Sequence, residues 1–223
     1  MSGFAAVLRK DLRLELRSGE STLALLALSM LVLVVLVFAL DAARLRSFDT
    51  AAGALWVAMI FSGVVGATRA LSAERENGAV HGLLLSPLEA PTLYAAKTAA
   101  AFIFMAVSEA GAVIMMVLFF NLEFDASLVR LVPVLMLGAL GFSALATLLS
   151  AATGHTRAGD MLLPILAVPM FVPALIAGVK ASTAALSGAP LASMGEWLRI
   201  MVAFDVLFVT AGYLLFEHVV GDD

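Results

Sequence analysis

Six apolar runs, near residues 22–40, 51–68, 98–120, 128–152, 161–179 and 197–219, constrain this chain more than any other feature. Each is close to the length of about 17–25 residues that a helix needs to cross hydrocarbon. A backbone inside a bilayer must pair its own N–H and C=O groups, so runs this apolar fold as helices. No alternation of period two marks a strand. The connections between runs are short, which leaves no room for a second soluble domain. The expectation is an all-α integral membrane protein, one domain over residues 1–223 with six transmembrane helices. Composition agrees: 62% hydrophobic and 13% charged residues, with mean hydropathy +1.06, lie outside the soluble globular range.

Six spans put both termini on one side, and the distribution of Lys and Arg says which. With the termini and the 69–97 and 153–160 loops lie eight: Arg9, Lys10, Arg13, Arg17, Arg69, Arg75, Lys97 and Arg157. The other side holds five, namely Arg44, Arg46, Arg130, Lys180 and Arg199. Four of the eight precede the first span, which usually sets orientation, so both termini are expected in the cytoplasm.

The stretch Arg69 to Lys97 is the one long polar interruption between apolar runs. Arg69, Glu74, Arg75 and Glu76 keep it out of hydrocarbon, where each charge costs roughly 2.5–3.5 kcal/mol at a helix centre. It is nonetheless patterned. Ser72 to Asn77 favours helix, Gly78 stands where a helix would end, and Leu83, Leu84 and Leu85 form an apolar patch before Ser86 and Pro87. Charges and leucines together on a membrane surface suit a short amphipathic helix that docks another protein.

Residues 4–18 precede the first span with Phe4, Leu8, Leu12 and Leu16 every fourth residue, beside Arg9, Lys10, Arg13 and Arg17. This pattern suits a helix lying in the interface, leucines down and cations toward anionic headgroups. A charged flank that only orients the first span is the plainer reading. The run Thr22 to Leu40 is too long for a signal-peptide core, and no A-x-A site follows it.

Within the spans, Glu109 and Asp205 are intramembrane carboxyls, which are expensive and face protein or water. Each is a functional candidate, against a hydrogen-bonded structural role for Glu109 and a pair with Lys180 or Arg199 for Asp205. Pro164, Pro169 and Pro173 are expected to kink or break the fifth span. Ser62, Gly63, Gly66 and Ala67, and likewise Ala139, Ser143 and Thr147, allow close helix approach, at a homodimer contact or inside one bundle. Between Lys180 and Glu196 the spacing predicts one or two helical turns at the outer surface, broken at Gly188, Pro190 and Gly195.

Catalytic and metal chemistry find little support. His81, His155 and His218 are scattered, and Met115 and Met116 read as packing. The absence of cysteine excludes disulfides and thiolate chemistry. No G-x-x-x-x-G-K-[ST] or glycine-rich phosphate loop is present. If ATP drives this protein, another chain binds it.

The run Glu74-Arg75-Glu76-Asn77-Gly78, then Leu83-Leu84-Leu85-Ser86-Pro87, then Lys97, resembles the segment between the second and third spans of ABC-2 type permeases. Within that group the whole chain is similar to the CcmB family, the haem exporter B membrane subunit of cytochrome c maturation. The similarity rests on Arg9 to Ser18, the Ala73 to Leu85 run and Phe120-Asn121-Leu122. Leu162-Leu163-Pro164 through Val179-Lys180-Ala181, Ala203-Phe204-Asp205 and Leu215-Phe216-Glu217 complete it. Ala79, where many ABC-2 members have Thr, and Ala96, where Gly is frequent, depart from the broader pattern and speak against a generic drug exporter.

The resemblance implies an ABC-2 permease fold in a bacterial inner membrane. Its coupling helix would carry Glu74, Arg75, Glu76, Asn77, Gly78, Leu83, Leu84, Leu85 and Pro87. It implies a non-catalytic subunit that binds no cofactor alone, with ATP and Mg on a CcmA-like ATP-binding subunit and haem as cargo of the complex. A second copy of the chain, a CcmC-like haem-handling membrane protein with a small CcmD-like subunit, and a CcmE-like periplasmic haem chaperone are the implied partners; nucleic acid is not. ATP would drive haem export or release of the loaded chaperone. An exporter of another amphiphile and a non-transporting scaffold are the rivals.

Overall fold

A computed structural model of the chain describes residues 3–18, 20–40, 47–76, 89–123, 125–154, 156 and 159–221. These form seven helices: α1 Gly3–Ser18, α2 Glu20–Ala39, α3 Phe48–Glu76, α4 Ala90–Phe119, α5 Ala126–Gly154, α6 Gly159–Leu186 and α7 Leu191–Gly221. Among the described residues, five of them, α3 to α7, are long and apolar enough to cross a membrane. The apolar part of α2, Leu23–Ala39, is shorter. The outer surface is apolar as well: Phe38 is 85% exposed, Met161 73% and Val129 71%. An exterior of this kind is unstable in water and suits lipid. The chain is a multi-pass membrane protein.

Every apolar run read from the sequence falls in its own helix, but the helices outrun the runs. Residues 69–76 continue α3 rather than forming a separate surface helix, and α4 begins at Ala90. α6 is continuous through Leu186 in spite of Pro164, Pro169 and Pro173, and Gly195 lies inside α7. The expected breaks at these positions are absent. Each proline removes one backbone donor, but in hydrocarbon the remaining N–H groups have no better partner than the helix itself.

The turn from α6 to α7 is closed by backbone geometry. Gly188 takes φ +69; its amide donates to Ala185 O at 3.3 Å, and the Ala189 amide to Ala184 O at 3.1 Å. This crossed pair needs a left-handed residue after the helix, which glycine adopts without a Cβ penalty. Asn121 (φ 49) ends α4 similarly, with the Leu122 amide on Val117 O at 3.0 Å.

The core is centred on Trp56, fully buried in α3. Its indole N–H donates to Ser182 Oγ of α6 at 2.9 Å, and its ring stacks near Phe171, centroids 6.4 Å apart. Glycines make room for it. A Cβ on Gly178 of α6 would lie 2.1 Å from the indole, and one on Gly138 of α5 would lie 2.5 Å away. A second cluster, Leu33, Leu55, Met116, Leu131 and Leu186, fills the end of the bundle away from the termini. A third, Val7, Leu93, Tyr94, Ala96 and Phe216, fills the terminal end.

The small-residue sets pack within this bundle. A Cβ on Gly63 would meet Phe142 of α5 at 2.7 Å and Met105 of α4 at 2.8 Å, and one on Gly66 would meet Leu25 of α2 at 3.1 Å. Ala139, Ser143 and Thr147 are buried inside the single chain. Met116 is buried and Met115 packs beside it, so both serve packing.

Candidate coupling site

The polar connector between α3 and α4 is held by two helix ends that are locked in different ways. On the α3 side, Leu71 is 3% exposed and a Cβ on Gly154, at the end of α5, would touch it at 3.8 Å. Thr68 and Ser72 return their hydroxyls to Val64 O and Thr68 O. Arg69 is exposed, and the helix persists through Glu74, Arg75 and Glu76. On the α4 side, Glu89 is the residue before the helix, extended at φ −63, ψ 136, with Pro91 in the first turn. Proline is compatible with that turn because its missing donor would be unpaired anyway. The Glu89 carbonyl accepts from the Thr92 amide at 3.0 Å and the Leu93 amide at 3.2 Å.

Asn77, Gly78, His81, Leu83, Leu84, Leu85 and Pro87 lie outside the described residues, as do the side chains of Glu74, Arg75 and Glu76. His155 and Arg157 also lie outside them.

Around the start of α4 the structure gathers the ends of three further elements. α1 packs its Val7 and Phe4 against Leu93, Tyr94 and Ala96 of α4, with Phe216 of α7 and Leu148 and Ala151 of α5 close by. Arg9, Lys10 and Arg13 are exposed on the other face of α1, and Lys10 Nζ pairs with Asp11 at 3.0 Å. The periodicity of Phe4, Leu8 and Leu12 describes a half-buried stripe, but the residue that α1 buries fully is Val7, one helical turn from Phe4.

Sequence reading missed Tyr94. It is 2% exposed, and its hydroxyl lies 3.1 Å from Ala144 O on α5 and 3.0 Å from Phe208 O on α7. The ring occupies a notch where a Cβ on Gly212 would come within 2.0 Å of it. Phe216, one turn further along α7, closes over the ring with centroids 5.4 Å apart.

Of the two intramembrane carboxyls, Glu109 lies further along α4, and Asp205 sits one helical turn before Phe208 on α7. Glu109, 2% exposed, shares a stripe of α4 with Met105, Ala112 and Met116, and neither carboxylate oxygen has a hydrogen-bond partner. The neighbouring Ser108 hydroxyl is likewise buried and unpartnered. Asp205 is 5% exposed, packed where a Cβ on Gly141 of α5 would collide with Oδ1. Its Oδ2 has no partner, and Lys180 and Arg199 are exposed and make no ion pair with it. On α6, Pro169 and Pro173 face outward and Pro164 is half-buried. Among the described residues no group of His, Asp or Glu is placed to hold a metal ion.

A family model described as "CcmB protein" matches residues 2–220, which takes in nearly all of every helix from α1 to α7. The chain belongs to the CcmB family.

Similar proteins include "Heme exporter protein B" of Bradyrhizobium diazoefficiens, 28% identical over 95% of this chain and 94% of that protein. "Heme exporter protein B" of Paracoccus denitrificans is 29% identical over 82% of this chain and 84% of its own. That of Rhodobacter capsulatus is 28% identical over 78% and 80%. In this CcmB-family chain the connector is therefore neither a terminal tag nor a domain linker. It lies inside the matched region, between two transmembrane helices whose ends are buried in the bundle.

Proposed function

We propose that this CcmB-family chain is the membrane subunit of an ATP-driven complex in cytochrome c biogenesis. It would convert hydrolysis on a separate ATP-binding subunit into haem export or release of a haem-loaded periplasmic chaperone. The relationship to proteins named heme exporter protein B, which covers nearly the whole chain in one case and about four-fifths in another, carries the haem assignment. In this reading α2 is a sixth span, α1 lies in the cytoplasmic interface, and both termini face the cytoplasm of a bacterial inner membrane. The fold is of the ABC-2 permease type. Glu74, Arg75, Glu76, Asn77, Gly78, Leu83, Leu84, Leu85 and Pro87 form the coupling element that meets the ATPase.

The supporting observation is the pair of locked ends. Leu71 and Tyr94, on either side of the segment that carries Glu74, Arg75 and Glu76, are each almost fully buried, so force that reaches either helix end passes into the bundle. A second copy of the chain, a haem-handling membrane protein with its small subunit, and the chaperone complete the assembly. ATP and Mg belong to the partner, and this chain is no enzyme. Inside the membrane, Glu109, Asp205 and the three prolines of α6 are the candidates for positions that respond to the cycle. ATP biases the assembly only if its two states differ in their contacts with this subunit.

The test is the double reversal Glu74→Lys and Glu76→Lys. Placing like charges against a partner costs several kcal/mol, so ATPase copurification should fall about tenfold or more. Holo-cytochrome c should fall with it while insertion stays normal. Normal copurification and normal holo-cytochrome c would refute the interface. An ATPase-dead partner that still supports maturation would favour a scaffold, and haem-independent transport in vesicles would favour another cargo.

A further inference from the structure

We propose that Tyr94 is the pin through which motion of the connector passes into α5 and α7, an inference that rests on the coupling role just described. The geometry is specific. Tyr94 lies five residues beyond Glu89, within the first turns of the helix that the connector feeds. Its single hydroxyl proton sits between two backbone carbonyls, Ala144 O and Phe208 O, on two different helices. A helical carbonyl already accepts from the amide four residues on, and its second lone pair remains available to a side-chain donor. Phe208 O is the carbonyl that the Gly212 amide reaches by that rule, and Gly212 is the residue whose missing Cβ admits the ring. Phe208, Gly212 and Phe216 are thus one column of α7, with the hydroxyl bonded at its top and the ring covered at its base.

A joint of this kind has no slack. The Cβ position of Gly212 is 2.0 Å from the Tyr94 ring, so the phenol lies against bare helix backbone. Shifting the start of α4 must either break both hydrogen bonds or carry the facing segments of α5 and α7 with it. Those helices continue to the opposite end of the bundle. There Arg130 Nη1 of α5 reaches Ala189 O in the α6–α7 turn at 3.4 Å, linking the far ends. Packed interfaces of this kind have discrete arrangements and do not deform continuously. Tyr94 is a positioning residue: it touches no cargo, and it determines what the far end feels.

The test uses the complex of this chain with its ATP-binding subunit. The chain has no native cysteine, so introduced cysteines take spin labels uniquely. One pair, Arg69→Cys with Glu89→Cys, reports across the connector; the other, Asp49→Cys with Ala192→Cys, reports at the opposite end. All four positions are exposed. With Tyr94 intact, ATP plus vanadate should shift both distances. Tyr94→Phe keeps the ring in its notch and removes the proton; the connector shift should persist, the far shift should vanish, and hydrolysis should continue. A role in packing alone would leave both the yield of complex and the far shift intact, and that result would overturn the pin. If the connector pair does not move in the otherwise wild-type chain, the coupling reading itself fails. If it moves and the far pair does not, the pin alone fails. Should Tyr94→Phe not assemble, Tyr94→Leu with Gly212→Ala refills the notch without a hydroxyl. The same loss of the far shift is expected, and a preserved shift refutes the inference.

Discussion

Adding one methyl group at Gly178 should destabilise this protein more than removing the hydrogen bond beside it. The Cβ of Gly178→Ala would lie 2.1 Å from Trp56 Cζ2, 2.2 Å from Cη2 and 2.5 Å from Cε2. Carbon atoms sit best about 3.5–4.0 Å apart, so a gap of more than about 1 Å must open. The indole has nowhere to go. On the α5 side the Gly138 Cβ position is only 2.5 Å from Cη2, and Ser182 holds the indole N–H at 2.9 Å. Relief therefore requires moving α6 against α3, and overpacking of this kind costs about 1–3 kcal/mol. Ser182→Ala removes one hydrogen bond, which within a membrane is worth about 0.6 kcal/mol on average. Unfolding in mixed micelles with increasing SDS, followed by helical circular dichroism, measures both. Gly178→Ala should lose several-fold or more in its folded-to-unfolded ratio and Ser182→Ala much less. Trp56→Phe should partly rescue Gly178→Ala, with a coupling energy of about 0.5–3 kcal/mol because the two residues touch. A Gly178→Ala protein within about 0.5 kcal/mol of wild type, or strict additivity with Trp56→Phe, would refute the packing argument.

Two further outcomes are expected from the ends of helices. Gly188→Ala forces a side chain into φ +69 and should cost about 1–2 kcal/mol in the same assay, whereas Gly188→Asn should cost less. At the start of α5, the hydroxyl and then the amide of Ser127 donate to Asp125 Oδ1 and hold its carboxyl below the ordinary 3.8. A carboxyl lowered on folding contributes stability above its unfolded pKa, and that contribution disappears as pH falls through the lowered value. Stability of the wild type should therefore decline below about pH 3.8 by an increment that Asp125→Ala lacks; identical acid profiles for the two proteins would refute the cap.

Sequence and structure agree where the controlling quantity is local and sum-like, and part where it is a match between distant shapes. Hydrophobicity adds along a run, so five spans, α3 to α7, could be read from their own residues, while the apolar part of α2 is shorter than the run suggests. The limits of those runs mark hydrocarbon, not helix, which is why α3 continues to Glu76 and α4 starts at Ala90. α6 shows the same limit from another side. Three prolines predict a break when each is weighed alone, but a chain with no water to turn to keeps its helix. The amphipathic stripe of α1 was visible because its period is local, but Val7 becomes the buried contact only because Leu93 and Tyr94 stand opposite it.

Tyr94 and Trp56 carry no local signal at all. An aromatic residue in an apolar run resembles any other until a glycine is seen to have left room for it. The partners lie 114 residues away for Tyr94 and Phe208, and 126 for Trp56 and Ser182. Gly63 and Gly66 did announce close packing, yet only their contacts with Phe142, Met105 and Leu25 decide that it is internal to one chain. The same logic separates the two halves of the candidate site. The charges of the connector were legible because hydrocarbon rejects them wherever the chain folds. The joint that would make those charges useful was not, because it is built from a phenol, two carbonyls and an absent methyl group on three helices. The proposed coupling needs both, and only the first is written in consecutive residues.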